Sequence, residues 1–241
     1  MKTKKKITLS IILARGGSKG VPRKNITELR GKPIIAYSIY DSINSKNIDK
    51  TVVSTEDNEI ASISQKYGAE IILRPAEYAS DAARMELALR HAVTEIEKQG
   101  HKVGIVVSLY ACVPIRNRGV IDNAIDLLVS TGADSIQTFS QYRHPPQWAS
   151  VINGDKPTRL EKKYDSIYRR QDLVPAYYPD GAVIALQRDT LFNKTDESSD
   201  AYSFLGNDRR ALIQKPEDTV NIDEPIDLIW AKTIIEHSNV K

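Results

Sequence analysis

Arg15, Lys19, Arg23 and Lys24 place four cations within ten residues, and Gly16, Gly17 and Gly20 are interleaved with them. Three glycines in five positions let a backbone turn tightly and come close to a ligand. Unpaired N–H groups in such a loop form a concavity that suits anions. Arg15 and Arg23 can grip phosphate oxygens through the planar guanidinium, and Lys19 and Lys24 act as point charges. This pattern predicts a cradle for a polyphosphate. The plainer reading is a solvated basic loop after a first strand. The loop fits neither G-x-x-x-x-G-K-[ST] nor G-x-G-x-x-G, so a P-loop ATPase and a dinucleotide oxidoreductase are both disfavoured.

A second group lies near the other end of the chain, Asn221-Ile222-Asp223. Alternate residues of an extended segment point the same way, so both polar side chains could reach one cation. Asp223 could instead cap the helix that Glu224-Pro225 begins. Arg74 follows a short apolar run, where a salt bridge to Glu70 or Glu77 is one reading. The four histidines (His91, His101, His144, His237) show no ligand spacing. Cys112 has no nearby His-plus-carboxylate signature that would make it a nucleophile.

These residues need elements to hold them. Ile7 to Leu13 is an apolar, β-branched run ended by the glycine loop, which predicts a buried strand. Pro33 suits the first turn of a helix reaching about Ser45. Strands are predicted at 51–54, 70–73, 103–109, 135–139, 181–187 and 210–214. Helices are predicted over about 58–67 (closed by Gly68), from a Ser80-Asp81 cap to about Lys98, over 121–129 and 189–192, and from Glu224 to His237. Strands alternating with helices at this spacing argue for βαβ units and a mostly parallel sheet. In such a sheet the site lies beyond the carboxyl ends of the strands, which puts the loop after the first strand and Arg74 beside one crevice. The alternation breaks at about 141–179, a polar, tyrosine-rich stretch of the kind that serves function or an interface.

Net charge is +3, too small to imply a nucleic-acid partner. Lys2, Lys4, Lys5 and Lys6 read as a solvated tail. With 41% hydrophobic and 27% charged residues the chain has an ordinary globular balance. One cysteine excludes an internal disulfide and a cysteine-based zinc cluster, and fits a reducing compartment. The first apolar run is short and ends at Arg15 without a small-residue cleavage site, so it reads as a strand and not a leader. No run reaches the ~18 apolar residues of a membrane span.

The stretch LARGGSKGVPRKN, followed by GKPIIAYSI, resembles the opening of the CMP-sialic acid synthetase (acylneuraminate cytidylyltransferase) family, whose members activate nonulosonic acids with CTP. That resemblance implies a Rossmann-like α/β nucleotidyltransferase fold with a mostly parallel central sheet and a protruding dimerisation arm. It implies a single cytidylyltransferase domain over 1–241, with the arm at about 141–179 reaching across a homodimer. CTP and an acidic sugar become the partners, Mg²⁺ the cofactor, the cytoplasm the location, and cell-surface polysaccharide synthesis the context.

Site roles follow by the same resemblance. Arg15, Gly16, Gly17, Ser18, Lys19, Arg23, Lys24 and Asn25 would hold the nucleotide. Arg15, Lys24 and Asp223 would be catalytic. LRPAE…ASD implies Arg74 against cytosine, with Ser80 and Asp81 on the nucleotide or serving only as a helix cap. Arg84-Met85 stands where a small hydroxyl residue is usual. VSLYACVPIR keeps the family's leucine, proline and arginine, which leaves Arg116 as a site cation or a structural clamp. RRQDL implies Arg170 near the acid. Tyr110, Gln147, Tyr178 and Asp180 fall on the sugar side, where the family usually has Gln, Lys, Arg and Asn. Asn221 replaces the first aspartate of a D-I-D metal motif, leaving Asp223 and an amide oxygen as candidate ligands. Fewer cations and one added acid turn the expectation from sialic acid itself towards a nonulosonic acid with amino substituents. The alternatives are another acceptor (a Kdo-like acid or a phosphonate) or a non-catalytic nucleotide-binding paralogue.

Overall fold

The computed structural model describes residues 5–193 and 200–237. Lys2 and Lys4 of the basic tail lie outside the described residues. The chain runs β1 (Ile7–Leu13), β2 (Glu28–Leu29), β3 (Lys32–Pro33), α1 (Ile34–Ile43), β4 (Lys50–Thr55), α2 (Asn58–Lys66), β5 (Glu70–Leu73), α3 (Met85–Lys98), β6 (Val103–Tyr110), α4 (Val120–Thr131), β7 (Ser135–Gln141), β8 (Ser150–Asn153), β9 (Lys156–Arg159), β10 (Tyr177–Gln187), α5 (Arg188–Phe192), β11 (Arg209–Gln214) and α6 (Pro225–His237).

Seven strands form one sheet in the order β11-β7-β10-β6-β1-β4-β5. All pairs are parallel except those made by β10, which runs against both β6 and β7. Side chains alternate across a strand, so adjacent apolar residues feed two separate cores. Ile12, Val53 and Val107 pack with Ile35 and Ile39 of α1 and Ile121, Ile125 and Leu128 of α4. Ile11, Val52 and Val106 pack with Leu89, Val93 and Ile96 of α3 on the opposite face. Burial on both faces is why these strands read as continuous apolar runs. A third cluster joins Val21, Leu29 and Ile34 to Val220, Ile222 and Ala231, so the segment after β1 packs on the segment before and within α6.

The α3 start differs from the sequence expectation. Ser80 and Asp81 do not cap it: the helix begins at Met85, with Arg84 in the extended cap position. Residues 80–83 are spent on a turn closed by Ala83 N–H to Ser80 O (3.1 Å). Among the described residues Ser80 Oγ itself reaches only Glu77 O (3.4 Å).

Between β7 and β10 the excursion leaves and returns at one point. Gln141 pairs with Tyr177, and Tyr142 N–H donates to Ala176 O (3.0 Å). Beyond that neck stand the β8–β9 hairpin, turning at Gly154 with φ +66, and short 3-10 turns. Val151, Ile152, Leu160, Tyr168 and Val174 are exposed on it.

Candidate active site

The strand ends bring the predicted groups together. Beyond β1, Ala14 N–H donates to Ser54 O (3.1 Å), which seats the glycine loop against β4. Buried Asn25 closes the loop by donating from Nδ2 to Arg15 O (2.9 Å), so it shapes the loop. Beyond β4, the Glu56 carboxylate accepts Gly16 N–H (2.7 Å) through Oε1 and the Arg74 guanidinium (3.1 Å to Nη2) through Oε2. Arg74 therefore pairs with Glu56, not with Glu70 or Glu77. Glu70 takes Lys50 instead.

Asp57 caps α2, accepting Glu59 N–H and Ile60 N–H at 2.9 Å each. It also receives Arg23, which reaches Glu59 as well (2.5 Å). The Arg23 guanidinium, aided by the two backbone donors, holds the Asp57 carboxyl below its usual range. Arg23 sits at φ 54, the left-handed region, so the clamp fixes a backbone shape that costs energy.

The other cations have acidic partners too. Asp81 takes Lys19 on Oδ2 (2.5 Å) and Arg15 on Oδ1 (2.6 Å). These contacts, Lys19 first, draw the Asp81 carboxyl down. Lys24 Nζ donates to Asp223 Oδ1 (2.8 Å) across most of the chain. Gly20 lies against the same segment: a Cβ there would stand 2.1 Å from the Asp223 carbonyl oxygen, so only glycine allows the approach. Gly17 and Lys19 are exposed, and Ser18 N–H turns back to Gly16 O (3.1 Å).

Asp223 is 64% exposed at its side chain. Its Oδ2 accepts from Asn221 Nδ2 (2.6 Å), while Asn221 Oδ1 accepts from the Cys112 thiol (3.1 Å). Asp223 does not cap α6 with its side chain; Asp227 accepts the N–H groups of Asp223 and Glu224 instead. Burial pushes the Cys112 thiol up, favouring its protonated, donating form. Tyr110 lies close by, and its phenol is raised first by burial and then by neighbours that include Cys112 and Asp223.

Among the described residues no cluster of three or more His, Cys, Asp or Glu gathers to hold a metal. One exposed carboxylate beside a basic loop still suits Mg²⁺, a hard ion that usually takes one or two carboxylates and completes its shell with phosphate oxygens and water.

The sugar-side candidates divide. Gln147 and Arg170 line one cavity of about 400 Å³ with Tyr142, Leu173 and Val174. Tyr178 packs on Tyr142 with ring centroids 4.9 Å apart. Gln147 Nε2 donates to Val174 O (2.8 Å), and its buried Oε1 has no partner among the described residues.

Arg116 and Asp180 belong elsewhere. Of the two readings of Arg116, the geometry is that of a clamp. It is buried and donates to Ala182 O (2.9 Å), Tyr110 O (2.8 Å), Val113 O (2.5 Å) and Ser38 Oγ (2.9 Å), with Asp41 at 3.4 Å. Asp180, 5% exposed, turns inward at the irregularity between Pro179 and Ile184. It accepts from Thr138 Oγ1 (2.5 Å), Ser140 Oγ (3.0 Å), Ala182 N (3.0 Å) and Gln214 Nε2 (2.8 Å). A side chain that already accepts four donors has little left for a sugar. Asp180→Asn is expected to cost about 1–3 kcal/mol of stability, because it turns an acceptor into a donor facing donors. Thermal unfolding should fall while the KM for the second substrate stays unchanged.

Sequence reasoning missed Glu56 as the tie between Gly16 and Arg74. Its signal is its place, the first residue past a parallel strand next to the loop strand. It also missed Asp81 as the partner of two loop cations.

The sequence profile of a family described as cytidylyltransferase matches residues 9–219. A pseudaminic acid cytidylyltransferase of Campylobacter jejuni subsp. jejuni serotype O:23/36 is 36% identical, over 72% of this chain and 75% of that protein. An N-acylneuraminate cytidylyltransferase of Escherichia coli O18:K1:H7 is 30% identical, over 96% of this chain and 52% of that protein. Among solved structures, a CMP:2-keto-3-deoxy-manno-octonic acid synthetase complexed with CTP superposes with a TM-score of 0.73 at 16% identity, covering 95% of this chain and 98% of that one. A 4-diphosphocytidyl-2C-methyl-D-erythritol synthase from Anaerococcus prevotii gives 0.64 at 14% identity, over 96% and 97%. At such identities the two structures speak for the fold alone. No described helix is long and apolar enough to cross a membrane.

Proposed function

The chain belongs to the cytidylyltransferase family of nucleotidyltransferases, and we propose that it transfers CMP from CTP to the anomeric hydroxyl of a nonulosonic acid, releasing pyrophosphate. The carrying observation is the ring of loop cations at the strand ends, with Lys24 on Asp223. In the reaction the hydroxyl oxygen attacks the α-phosphorus in line. The bond from the α-phosphorus to the bridging oxygen breaks, and that oxygen leaves with pyrophosphate. Positioning and charge neutralisation dominate such a step. Arg15, Lys19 and Lys24 offset triphosphate charge, and the N–H groups of Gly17, Lys19 and Gly20 are the loop donors offered to its oxygens, since those of Gly16 and Ser18 are taken by Glu56 and Gly16 O. Arg74, held by Glu56, reads the base. Asp223 is the residue that would hold Mg²⁺, which supplies charge neutralisation on the phosphate oxygens. Asp223, directly or through water, also receives the hydroxyl proton.

The acid sits on the side of Tyr110, Gln147, Arg170 and Tyr178. Arg170 takes its carboxylate through the guanidinium fork. The unpartnered Gln147 Oε1 offers an acceptor to an N–H, which favours an acylamino-substituted acid. Residues 1–241 act as a single domain, and the arm at about 141–179 closes over the neighbour's site in a homodimer. The exposed apolar side chains of that arm support this reading. The enzyme works in the cytoplasm, where CTP is available.

The test is pyrophosphate release from each of the four NTPs, with and without Mg²⁺, against sialic acid, pseudaminic acid, a Kdo-like acid and a phosphonate. Release confined to CTP, Mg²⁺ and an acylamino nonulosonic acid is expected. Release with the Kdo-like acid or phosphonate alone would move the assignment to that acceptor. No release with any pair would leave a nucleotide-binding paralogue. Glu56→Gln is expected to raise the KM for CTP about tenfold or more, since a charge-assisted bond contributes about 1.5–3 kcal/mol and every 1.4 kcal/mol is about tenfold. Steady-state kinetics at saturating acid reads it directly.

A further inference from the structure

Asn221 stands between two groups that each dictate how its amide must point. On one side is Asp223 Oδ2 at 2.6 Å, a carboxylate oxygen that only accepts when ionised. On the other is the Cys112 thiol at 3.1 Å, a donor in its protonated form. Both demand one orientation, with Nδ2 towards Asp223 and Oδ1 towards Cys112. The flipped amide would set two acceptor oxygens 2.6 Å apart with no proton between them. It would also turn the NH₂ group towards S–H.

Cys112 is itself anchored to this segment, since Ile222 N–H donates to Cys112 O (2.9 Å). On the far side of Asp223, Lys24 holds Oδ1 (2.8 Å). The carboxylate is thus fixed at both oxygens before any ligand arrives, through a chain that runs from Cys112 to Asn221 to Asp223.

We propose that Asn221 is a positioning residue and not a metal ligand: its amide, oriented by the Cys112 thiol, holds the Asp223 carboxylate ready for the metal. This rests on the functional reading above, in which Asp223 serves a divalent ion. An aspartate at 221 would have no proton to give Asp223, and two adjacent carboxylates would repel until a cation joined them. The amide removes that repulsion and leaves the protein with one charged ligand. It also gives the half-buried thiol a defined task without any covalent chemistry.

The experiment titrates the full chain with Mn²⁺·CTP and reads water-proton relaxation enhancement, which reports the protein-bound ion. Partners that orient a ligand cost about 10–100-fold in metal affinity when removed. Asn221→Ala and Cys112→Val are each expected to weaken the bound ion at least tenfold, at the low end of that range. The double variant should be no weaker than the worse single one, because both cut the same chain. Cys112→Ser keeps a donor at that position and should stay close to the wild type. It also covers the case in which Cys112→Val does not fold.

A double variant whose loss equals the product of the two single losses would overturn the proposal. So would wild-type binding by Cys112→Val, or a loss in Cys112→Ser as large as in Cys112→Val. Wild-type protein that binds no Mn²⁺·CTP at all would remove the functional reading itself. The two failures are therefore distinguishable.

Discussion

Arg15→Ala is expected to lower turnover about 10²–10³-fold while leaving the unfolding temperature almost unchanged. The rate loss is of the size seen when one donor aimed at developing charge is deleted. The stability side follows from exposure. Arg15 and Asp81 are 39% and 49% exposed at their side chains. A pair so open to water contributes little to the fold. Deleting Arg15 leaves Asp81 with Lys19 alone, next to an incoming triphosphate. Asp81→Asn added to Arg15→Ala should therefore recover part of the affinity for CTP, by removing a like charge. The check is kcat and KM for CTP in the single and double variants beside their melting curves. Near-normal pyrophosphate release by Arg15→Ala would count against the cradle.

Arg116→Met should do the reverse. Its side chain is 1% exposed. Removing it takes the guanidinium donor from the carbonyl of Ala182 and one donor each from those of Tyr110 and Val113, which keep only Ser38 Oγ and, for Tyr110, Val113 N–H, and it leaves Asp41 without its cation. Burial already raises the Asp41 carboxyl, with Arg116 opposing that rise, so its loss favours a neutral acid. Breaking one side of a buried, hydrogen-bonded charge costs about 3–5 kcal/mol. At about 2–4 °C per kcal/mol for a chain of this size, the melting temperature should fall on the order of 10 °C. The KM for the acid should stay put in the protein that remains folded. A raised KM with an unchanged melting temperature would restore Arg116 to the sugar side.

The contrast between these two arginines shows what could be read early. The loop is legible because its signal is local: glycines and cations in one short run, after a run of buried β-branched residues. The helices and strands follow the same way, and their ends agree with the structure to within a few residues nearly everywhere. The exceptions are the starts of α3 and of β10, which begins at Tyr177 and not at Gly181, and the short strands β2, β3, β8 and β9, which the sequence does not announce. Ser80-Asp81 has the composition of a cap, yet the carboxylate is engaged by Arg15 and Lys19 from a loop more than sixty residues away. Arg116, which the sequence leaves open between site and clamp, and Asp180, which it sets on the sugar side, are hard to read for a related reason. A buried charge is fixed by partners from several strands, and no periodicity along the chain announces it. The Asn221 amide is harder still, since its orientation depends on one proton of Cys112.

The contact of Gly20 and Lys24 with Asp223 has a consequence for how the enzyme comes into being. The two halves of that contact are 199 positions apart. A ribosome adding about 5–20 residues per second needs roughly ten to forty seconds to travel between them. Throughout that interval the emerging polypeptide carries its glycine loop without the carboxylate that Lys24 meets. Activity is expected only after Asp223 has been added, so turnover in a cell-free synthesis reaction should lag behind the appearance of the glycine loop by at least that delay.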